Sequence, residues 1–246
     1  MAAAIVVTSG KGGTGKTTVT GGVASCLAAL GKRVLCLDMD VGLRNLDLTL
    51  GLSDRALMDF TDVLTGRCTL DRAAIPHPII ENLYLLTAPM TPLSGTLPKE
   101  GMAQLIRCAK EDYDYILMDS PAGLGDGFRL AVHAADRAIV VSTTDASALR
   151  DAQRTVAELS RSLERIHLVV NRVQPRLMRR LHTTIDDAMD TAGLPLLGVV
   201  PEDPTVMLSA NQGQPLILAT SRGAAVACLN IARRLLGQKT PMMKIR

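Results

Sequence analysis

The sequence has no tryptophan, and aromatic residues make up only 2% of its 246 residues. Proteins that hold single-stranded nucleic acid usually stack bases on aromatic side chains, so this scarcity argues against that class. The formal net charge at pH 7 is +3, which is too small to indicate nucleic-acid binding by itself. We therefore expect no specific nucleic-acid partner.

Cysteine pairs, zinc-binding patterns and long apolar runs are also missing. The five cysteines are scattered without a C-x-x-C motif, and the four histidines share no ligand spacing, so we expect reduced thiols and no zinc site. No apolar run approaches the roughly 20 residues of a membrane span. The first residues lack the basic flank and the length of a signal peptide. These absences predict a cytoplasmic protein.

Hydrophobic residues make up 47% of the chain, in short apolar runs that alternate with amphipathic stretches. Such an order predicts one α/β domain over residues 1–237, with a mostly parallel sheet and helices on both faces, followed by a short tail over 238–246. One predicted helix follows a glycine-rich loop and stops at Gly31. The strands are predicted at 2–9, 33–40, 82–88, 113–120, 137–144, 166–173 and 194–201, and the other helices at 99–112, 148–163, 179–192 and 223–237.

The glycine-rich loop, GKGGTGKT at 10–17, matches the pattern G-x-x-x-x-G-K-[ST] between a predicted strand and a predicted helix. Its glycines let backbone N–H groups face phosphate oxygens, and the helix adds its positive N-terminal end. Lys16 can reach the β- and γ-phosphates, and Thr17 can offer its hydroxyl to Mg²⁺. The pattern predicts a P-loop NTPase that binds the phosphates of a nucleotide with Mg²⁺ through Gly10, Lys11, Gly12, Gly13, Thr14, Gly15, Lys16, Thr17 and Thr18.

Aspartates that follow two of the predicted strands are the candidates for the metal and for catalysis, because ligands of α/β sheets bind at the carboxyl ends of strands. Asp119 is predicted to hold Mg²⁺ through a water molecule. Asp40 is predicted to orient the attacking water, and Asp38 to support the metal shell. The alternative role for both residues is to cap a turn, and for Asp38 this alternative is as well supported as the role in the metal shell. Residues 121–123 suit a segment that senses the γ-phosphate.

Four segments resemble the MinD/ParA family of ATPases with a deviant Walker A motif, and the resemblance extends from the start to about Leu236. They are KGGTGKT at 11–17, DMDVGLRNLDLTLGL at 38–52, DSPAG at 119–123 and GVVPEDPTVMLSANQGQPLI at 198–217. The last three look most like the division-site members of the family. The resemblance implies Mg²⁺-dependent ATP hydrolysis, a cycle between an ADP monomer and an ATP dimer, and a role in division-site placement.

The resemblance also implies roles for individual residues. Lys11 would reach across the ATP-bound dimer to the partner's phosphates and act in catalysis with Lys16 and Asp40. The adenine edge would contact Asn171, with Pro201 and Asp203 lining the ring. Residues 149–151 (LRD) would lie near the dimer and the face for a protein activator or effector, although Asp151 equally suits an ordinary acid at a helix N-terminus.

The tail departs from the pattern of the division-site members of the family, which usually end in an amphipathic helix that binds membrane only in the dimer. Here Pro241 interrupts any helix. At roughly 0.8 kcal/mol per buried CH₂, the few apolar side chains beyond it give weak binding. We expect at most a weak, peripheral contact with the inner face of the cell membrane. The tail's apolar residues and cations are Met242, Met243 and Ile245, and Lys239, Lys244 and Arg246.

Three alternatives to division-site placement stay open at this point. The first is a ParA-type ATPase for DNA partition, which should show more basic surface than this chain, since the basic segment 175–180 reads better as a solvated helix start. The second is an ATPase for flagellar placement. The third is a nucleotide-dependent scaffold that binds ATP and hydrolyses little of it.

Overall fold

The computed structural model describes residues 2–91 and 99–243, and its centre is an eight-stranded sheet. The strand order is β3-β4-β2-β5-β1-β6-β7-β8, and every neighbouring pair is parallel except β3 with β4. The predicted α/β fold with a mostly parallel sheet is confirmed. The strands are β1 Ala3–Thr8, β2 Val34–Asp38, β3 Ile75–Pro76, β4 Leu83–Leu86, β5 Tyr115–Asp119, β6 Arg137–Ser142, β7 Ile166–Val173 and β8 Leu196–Pro201.

Helices cover both faces of the sheet. The inner strands have apolar side chains on both faces, so each face packs against helices. On β1, Ala4 and Val6 pack into one hydrophobic core, and the alternate residues Ala3, Ile5 and Val7 pack into the other. The helices are α1 Lys16–Ala29, α2 Leu46–Thr49, α3 Phe60–Leu64, α4 Leu70–Ala73, α5 Lys99–Asp112, α6 Asp126–Ala134, α7 Ala146–Leu159, α8 Pro175–Leu181, α9 Ile185–Ala192, α10 Pro204–Asn211, α11 Leu216–Ala219 and α12 Gly223–Leu235.

The strand order places a crevice at the carboxyl end of β1. This strand lies between β5 and β6, and the chain passes from β5 over β1 to reach β6. Ligands of open α/β sheets bind where the strand order reverses in this way. The loop after β1 and the aspartate that ends β5 therefore meet in the middle of the sheet.

The prediction of a single helix over 179–192 is wrong, since the two helices α8 and α9 occupy this region. Helix α8 starts earlier, with Pro175 in its first turn, and ends where His182 adopts a left-handed backbone with φ 53°. Thr184 then caps α9, accepting from Asp187 N while the Asp187 carboxylate accepts from Thr184 N. This capping box starts a new helix, which apolar periodicity alone did not reveal.

Residues 238–243 lie against the sheet edge, held by the last turn of α12. The guanidinium of Arg234 donates to Thr240 O at 3.0 Å, to Pro241 O at 2.8 Å and to Leu197 O of edge strand β8 at 2.9 Å. Residues 244–246 of the tail lie outside the described residues. Among the helices that the structure describes, none combines the length and the apolar character needed to cross a membrane.

Candidate nucleotide site

The loop between β1 and α1 takes its shape from two glycines with left-handed backbones. Gly13 has φ 80° and Gly15 has φ 83°, in a region that other residues rarely adopt. A Cβ atom on Gly15 would also collide with the side-chain amide of Asn171. Gly15 caps α1, so the loop delivers the N-terminus of this helix to the crevice.

Gly10 has a different reason to be glycine, because the loop packs there against the start of α7. A Cβ atom on Gly10 would overlap the backbone carbonyl of Asp151. The segment 149–151 therefore lies beside the phosphate loop of its own chain.

The loop's polar groups fit a bound anion. Asn171 Nδ2 donates to Thr14 O at 2.8 Å, so this carbonyl is hydrogen-bonded within the protein. Within the described part of the chain, the Oγ1 atom of Thr14 is buried without a hydrogen-bond partner. A buried hydroxyl without a partner is unfavourable, and a phosphate oxygen would satisfy it. The residues present thus fit the polyphosphate that the loop motif implies.

The predicted metal-side residues are brought together at the ends of β1 and β5. Thr17 Oγ1 donates to Asp119 Oδ2 at 2.6 Å, and Thr20 Oγ1 contacts Asp119 Oδ1 at 3.2 Å. Lys16 Nζ lies 3.9 Å from the same carboxylate. Burial raises the pKa of Asp119, while Lys16 and the two hydroxyls oppose that shift. A buried carboxylate with a hydroxyl and a cation is a donor set suited to Mg²⁺ bound to phosphate.

Asp38 and Asp40 occupy different environments. Asp38 is 1% exposed, and its carboxylate accepts from Asp40 N at 2.9 Å and from Leu46 N at 3.1 Å. Burial raises the pKa of Asp38 to about 7, partly offset by the hydrogen bond from Asp40 N. Strand β2 ends at Asp38, two residues earlier than predicted, so Asp40 lies in the following loop and is partly exposed. Asp38 fastens this loop, and the metal role assigned to it stays a prediction.

No three His, Cys, Asp or Glu side chains within residues 2–91 and 99–243 are grouped so that they could hold a metal ion alone. Mg²⁺ at nucleotide sites keeps several of its waters and is bound through one or two protein ligands plus substrate phosphates. Thr17, and Asp119 through a water molecule, are the candidates for this role, and both assignments stay predictions. The rest of the coordination shell would come from water and phosphate oxygens.

The second lysine of the loop is paired within its own chain. Lys11 Nζ lies 3.1 Å from Asp145 Oδ2 and donates to Ser147 Oγ at 2.7 Å, at the start of α7. Hydrogen bonds from Ser147 and Lys11 hold the pKa of Asp145 at about 2. Sequence reasoning missed Asp145 and Ser147, because an acid and a hydroxyl at a helix start are common and carry no motif.

The residues expected to contact the base lie near the ends of β7 and β8 and at the start of α10. Asn171 near the end of β7 contacts the loop, and Pro201 ends β8. The Asp203 carboxylate accepts from Thr205 N and from Ala224 N, each at 2.9 Å, so it caps α10 and fastens the start of α12. Any contact of Asp203 with a base stays a prediction. Two neighbours that sequence reasoning missed, Arg172 and Glu202, form an ion pair at 2.8 Å.

Known proteins share both the sequence and the fold of this chain. Residues 5–216 match the model of the CobQ/CobB/MinD/ParA nucleotide binding domain. The septum site-determining protein MinD of Synechocystis is 42% identical over 97% of this chain and 91% of that protein. The MinC:MinD cell division protein complex of Aquifex aeolicus superposes with a TM-score of 0.92 at 37% identity, with 99% of both chains covered. MinD of Pyrococcus horikoshii complexed with Mg-ADP gives a TM-score of 0.84 at 31% identity, with 96% of both chains covered.

Proposed function

The chain belongs to the septum site-determining MinD proteins of the MinD/ParA nucleotide-binding family, and we propose that it is a Mg²⁺-dependent ATPase that regulates division-site placement. It cycles between an ADP-bound monomer and an ATP-bound dimer. The observation that carries the proposal is the cluster of Lys16, Thr17 and Asp119 beneath a glycine loop in the shape that receives phosphate. The relative of known structure with Mg-ADP supports the same ligands.

Different groups of the site bind the phosphates and the metal ion. The N–H groups of residues 10–18 and the ammonium of Lys16 bind the phosphates. Thr17, and Asp119 through a water molecule, would hold Mg²⁺, and Asp38 would support this shell while it fastens the loop after β2. Mg²⁺ held there would supply positive charge against the phosphates. Thr17 and Thr20 hold the Asp119 carboxylate, and Lys16 lies beside it, so this chain's own side chains orient the group.

Catalysis needs an ordered water and one further cation. Asp40 lies in the loop that Asp38 fastens, and it orients the attacking water there. Lys11 leaves Asp145, reaches across the dimer and stabilises the charge that develops on the transferred phosphoryl group, as an arginine finger does. This arrangement makes hydrolysis depend on dimerisation, because neither subunit completes its own site.

Base recognition follows from the orientation of Asn171. Its Nδ2 atom donates to Thr14 O, so its Oδ1 atom is left to accept a hydrogen bond. The exocyclic amino group of adenine can donate to this oxygen, whereas guanine presents a carbonyl at the equivalent position. Pro201 and Asp203 line the ring. The site therefore selects ATP over GTP.

The partners follow from family membership and from the surface. The relative solved as a MinC:MinD complex supports a protein effector for this chain, and segment 149–151 is its proposed contact. For the residues in hand we propose only a weak and peripheral membrane contact, because the few apolar side chains of 238–243 can bury little surface. A specific nucleic-acid partner is not part of the proposal.

Size-exclusion chromatography with ADP and with ATP, together with a phosphate-release assay, tests the function. We expect a monomer with ADP, a dimer with ATP, and phosphate release that requires Mg²⁺. Lys16→Ala should abolish nucleotide binding, and Lys99→Ala, which changes an exposed lysine at the start of α5, should change nothing. ATP binding without phosphate release would identify a scaffold, and ATP-dependent DNA binding would identify a partition ATPase.

A further inference from the structure

The end of strand β7 is irregular where it passes the phosphate loop. Val170 pairs with Val199 and Val173 pairs with Pro201, so two residues of β7 face one residue of β8. Arg172 is the second of these two residues and has a left-handed backbone with φ 57°. Such bulges redirect side chains and are frequent beside active sites.

The bulge turns two consecutive side chains towards the phosphate loop. Asn171 Nδ2 donates to Thr14 O at 2.8 Å, and Arg172 Nη1 donates to Gly13 O at 3.4 Å. Arg172 Nε also donates to Glu202 Oε2 at 2.8 Å. One guanidinium therefore connects the loop for the phosphates with the loop proposed for the base, since Glu202 lies between Pro201 and Asp203.

We propose that Arg172 is a positioning residue that sets the distance between these two loops and thereby raises the affinity of the site for a whole nucleotide. The inference rests on the proposed function. A nucleotide spans both loops, so it binds best when their spacing is already correct. Without the guanidinium, binding would also have to order one loop against the other, at a cost in affinity.

Fold stability alone does not account for an arginine at this position. The side chain of Arg172 is 53% exposed and that of Glu202 is 38% exposed, and ion pairs with this exposure add little to stability. A left-handed backbone is unfavourable for arginine and easy for glycine. Replacement by glycine therefore removes the guanidinium without straining the backbone, which separates a role in ligand binding from a role in folding.

Isothermal titration with ADP tests the proposal on four proteins: the unchanged chain, Arg172→Gly, Glu202→Gln and the double variant. We expect either single substitution to raise the Kd for ADP by about fivefold, the upper range for a partly exposed pair. The double variant should be no weaker than Arg172→Gly, because both changes break one connection. Arg172→Lys, which keeps the charge without the planar fork, should recover part of the loss.

The unliganded protein supplies the second readout. Without ligand, Arg172→Gly should unfold at the same temperature as the unchanged chain or at a higher one. In the hydrolysis assay, the KM of Arg172→Gly for ATP should rise while its kcat stays the same. Arg176→Ala, an exposed arginine on α8 with the same loss of charge, is the matched control and should bind ADP normally. Unaltered ADP binding by Arg172→Gly, or strictly additive losses in the double variant, would overturn the inference alone. Failure of the unchanged chain to bind ADP would reject the proposed function as well.

Discussion

The ammonium of Lys11 and the carboxylate of Asp145 are 3.1 Å apart within one chain, at the edge of the phosphate loop. The proposed function needs the same ammonium at the phosphates of the partner subunit. Under that proposal the Lys11 side chain has two alternative positions, and the pair with Asp145 would favour the monomer. Both side chains are about half exposed, so this preference is small and ATP can reverse it.

Substitutions of the two residues should shift dimerisation in opposite directions. Lys11→Ala should remain monomeric with ATP and lose hydrolysis, while it keeps ADP affinity through Lys16 and the loop amides. Asp145→Ala should dimerise with ATP at a concentration lower by about two- to threefold, since it removes only an exposed pair. Light scattering across a protein dilution series measures both effects. An unchanged dimer in Lys11→Ala would eliminate the cross-dimer role, and Lys99→Ala is the control for charge.

Asp40, assigned to the attacking water, and Asp119, assigned to the metal, should give separable defects. Asp40→Ala removes the positioning of water, so we expect Mg-ATP binding and dimerisation to persist while hydrolysis falls by about a hundredfold or more. Asp119→Asn should instead weaken nucleotide binding that depends on Mg²⁺. Titration of ADP with and without Mg²⁺, combined with single-turnover hydrolysis, distinguishes them. The same defect in both variants would refute this division of roles.

Gly15→Ala tests how the phosphate loop holds its shape. An alanine at this position must adopt a left-handed backbone, and its methyl group would collide with the side-chain amide of Asn171. We expect a loss of about 1–2 kcal/mol in the free energy of unfolding, together with loss of ADP binding. Gly12→Ala is the matched control, because no atom lies within 4 Å of its added Cβ. Denaturant unfolding measures both variants, and equal behaviour would contradict the loop geometry.

The surroundings of His77 lead us to expect that the protein becomes less stable in mild acid. Its Nδ1 atom accepts from Ile79 N at 3.1 Å and from Ile80 N at 2.9 Å, and Nε2 contacts Leu50 O at 3.1 Å. Burial, with a smaller effect from Arg55, lowers the pKa of His77. The folded state thus prefers neutral imidazole. The contribution to stability is complete above the unfolded pKa of about 6.5 and is lost as pH falls through the folded pKa.

The measurement is the free energy of unfolding between pH 7.5 and about pH 5 for the unchanged chain and for His77→Gln. The difference between the two should shrink as the pH falls, because only one of them contains the titrating group. Comparison with His167→Gln is needed, since burial lowers the pKa of His167 too. The raised pKa of Asp38 acts in the opposite direction but is common to both proteins. Parallel pH profiles would exclude the role of His77.

The chain as given should sediment with anionic liposomes weakly or not at all, even with ATP. Its tail residues 240 and 241 are held by Arg234, and Met243 packs partly buried against the core. Each cation near an anionic surface adds about 1 kcal/mol at best, and dimerisation joins two weak anchors. Fusion of a basic amphipathic helix after residue 246 is the positive control. Strong ATP-dependent sedimentation without this helix would show that another surface binds the membrane.

The sequence alone predicted seven of the eight described strands and the position of the phosphate loop, whereas the strand order and the short strand β3 are known only from the structure. Seven apolar runs predicted the parallel strands, because a strand buried on both faces needs a continuous apolar sequence. The glycines and lysines of residues 10–17 predicted the loop, because its conformation and charge depend on residues that adjoin in the chain. Asp119 could be assigned for a similar reason, since the end of a strand is visible as the end of an apolar run.

Only the tertiary structure decided which distant groups meet. The pairs of Lys11 with Asp145 and of Arg172 with Glu202 join residues 134 and 30 positions apart, and no local pattern records such contacts. The bulge that turns Arg172 towards Gly13 depends on the register of β7 against β8, which apolar periodicity does not specify. Composition and spacing thus define the site's chemistry, whereas strand register and helix packing place the side chains that hold its loops together.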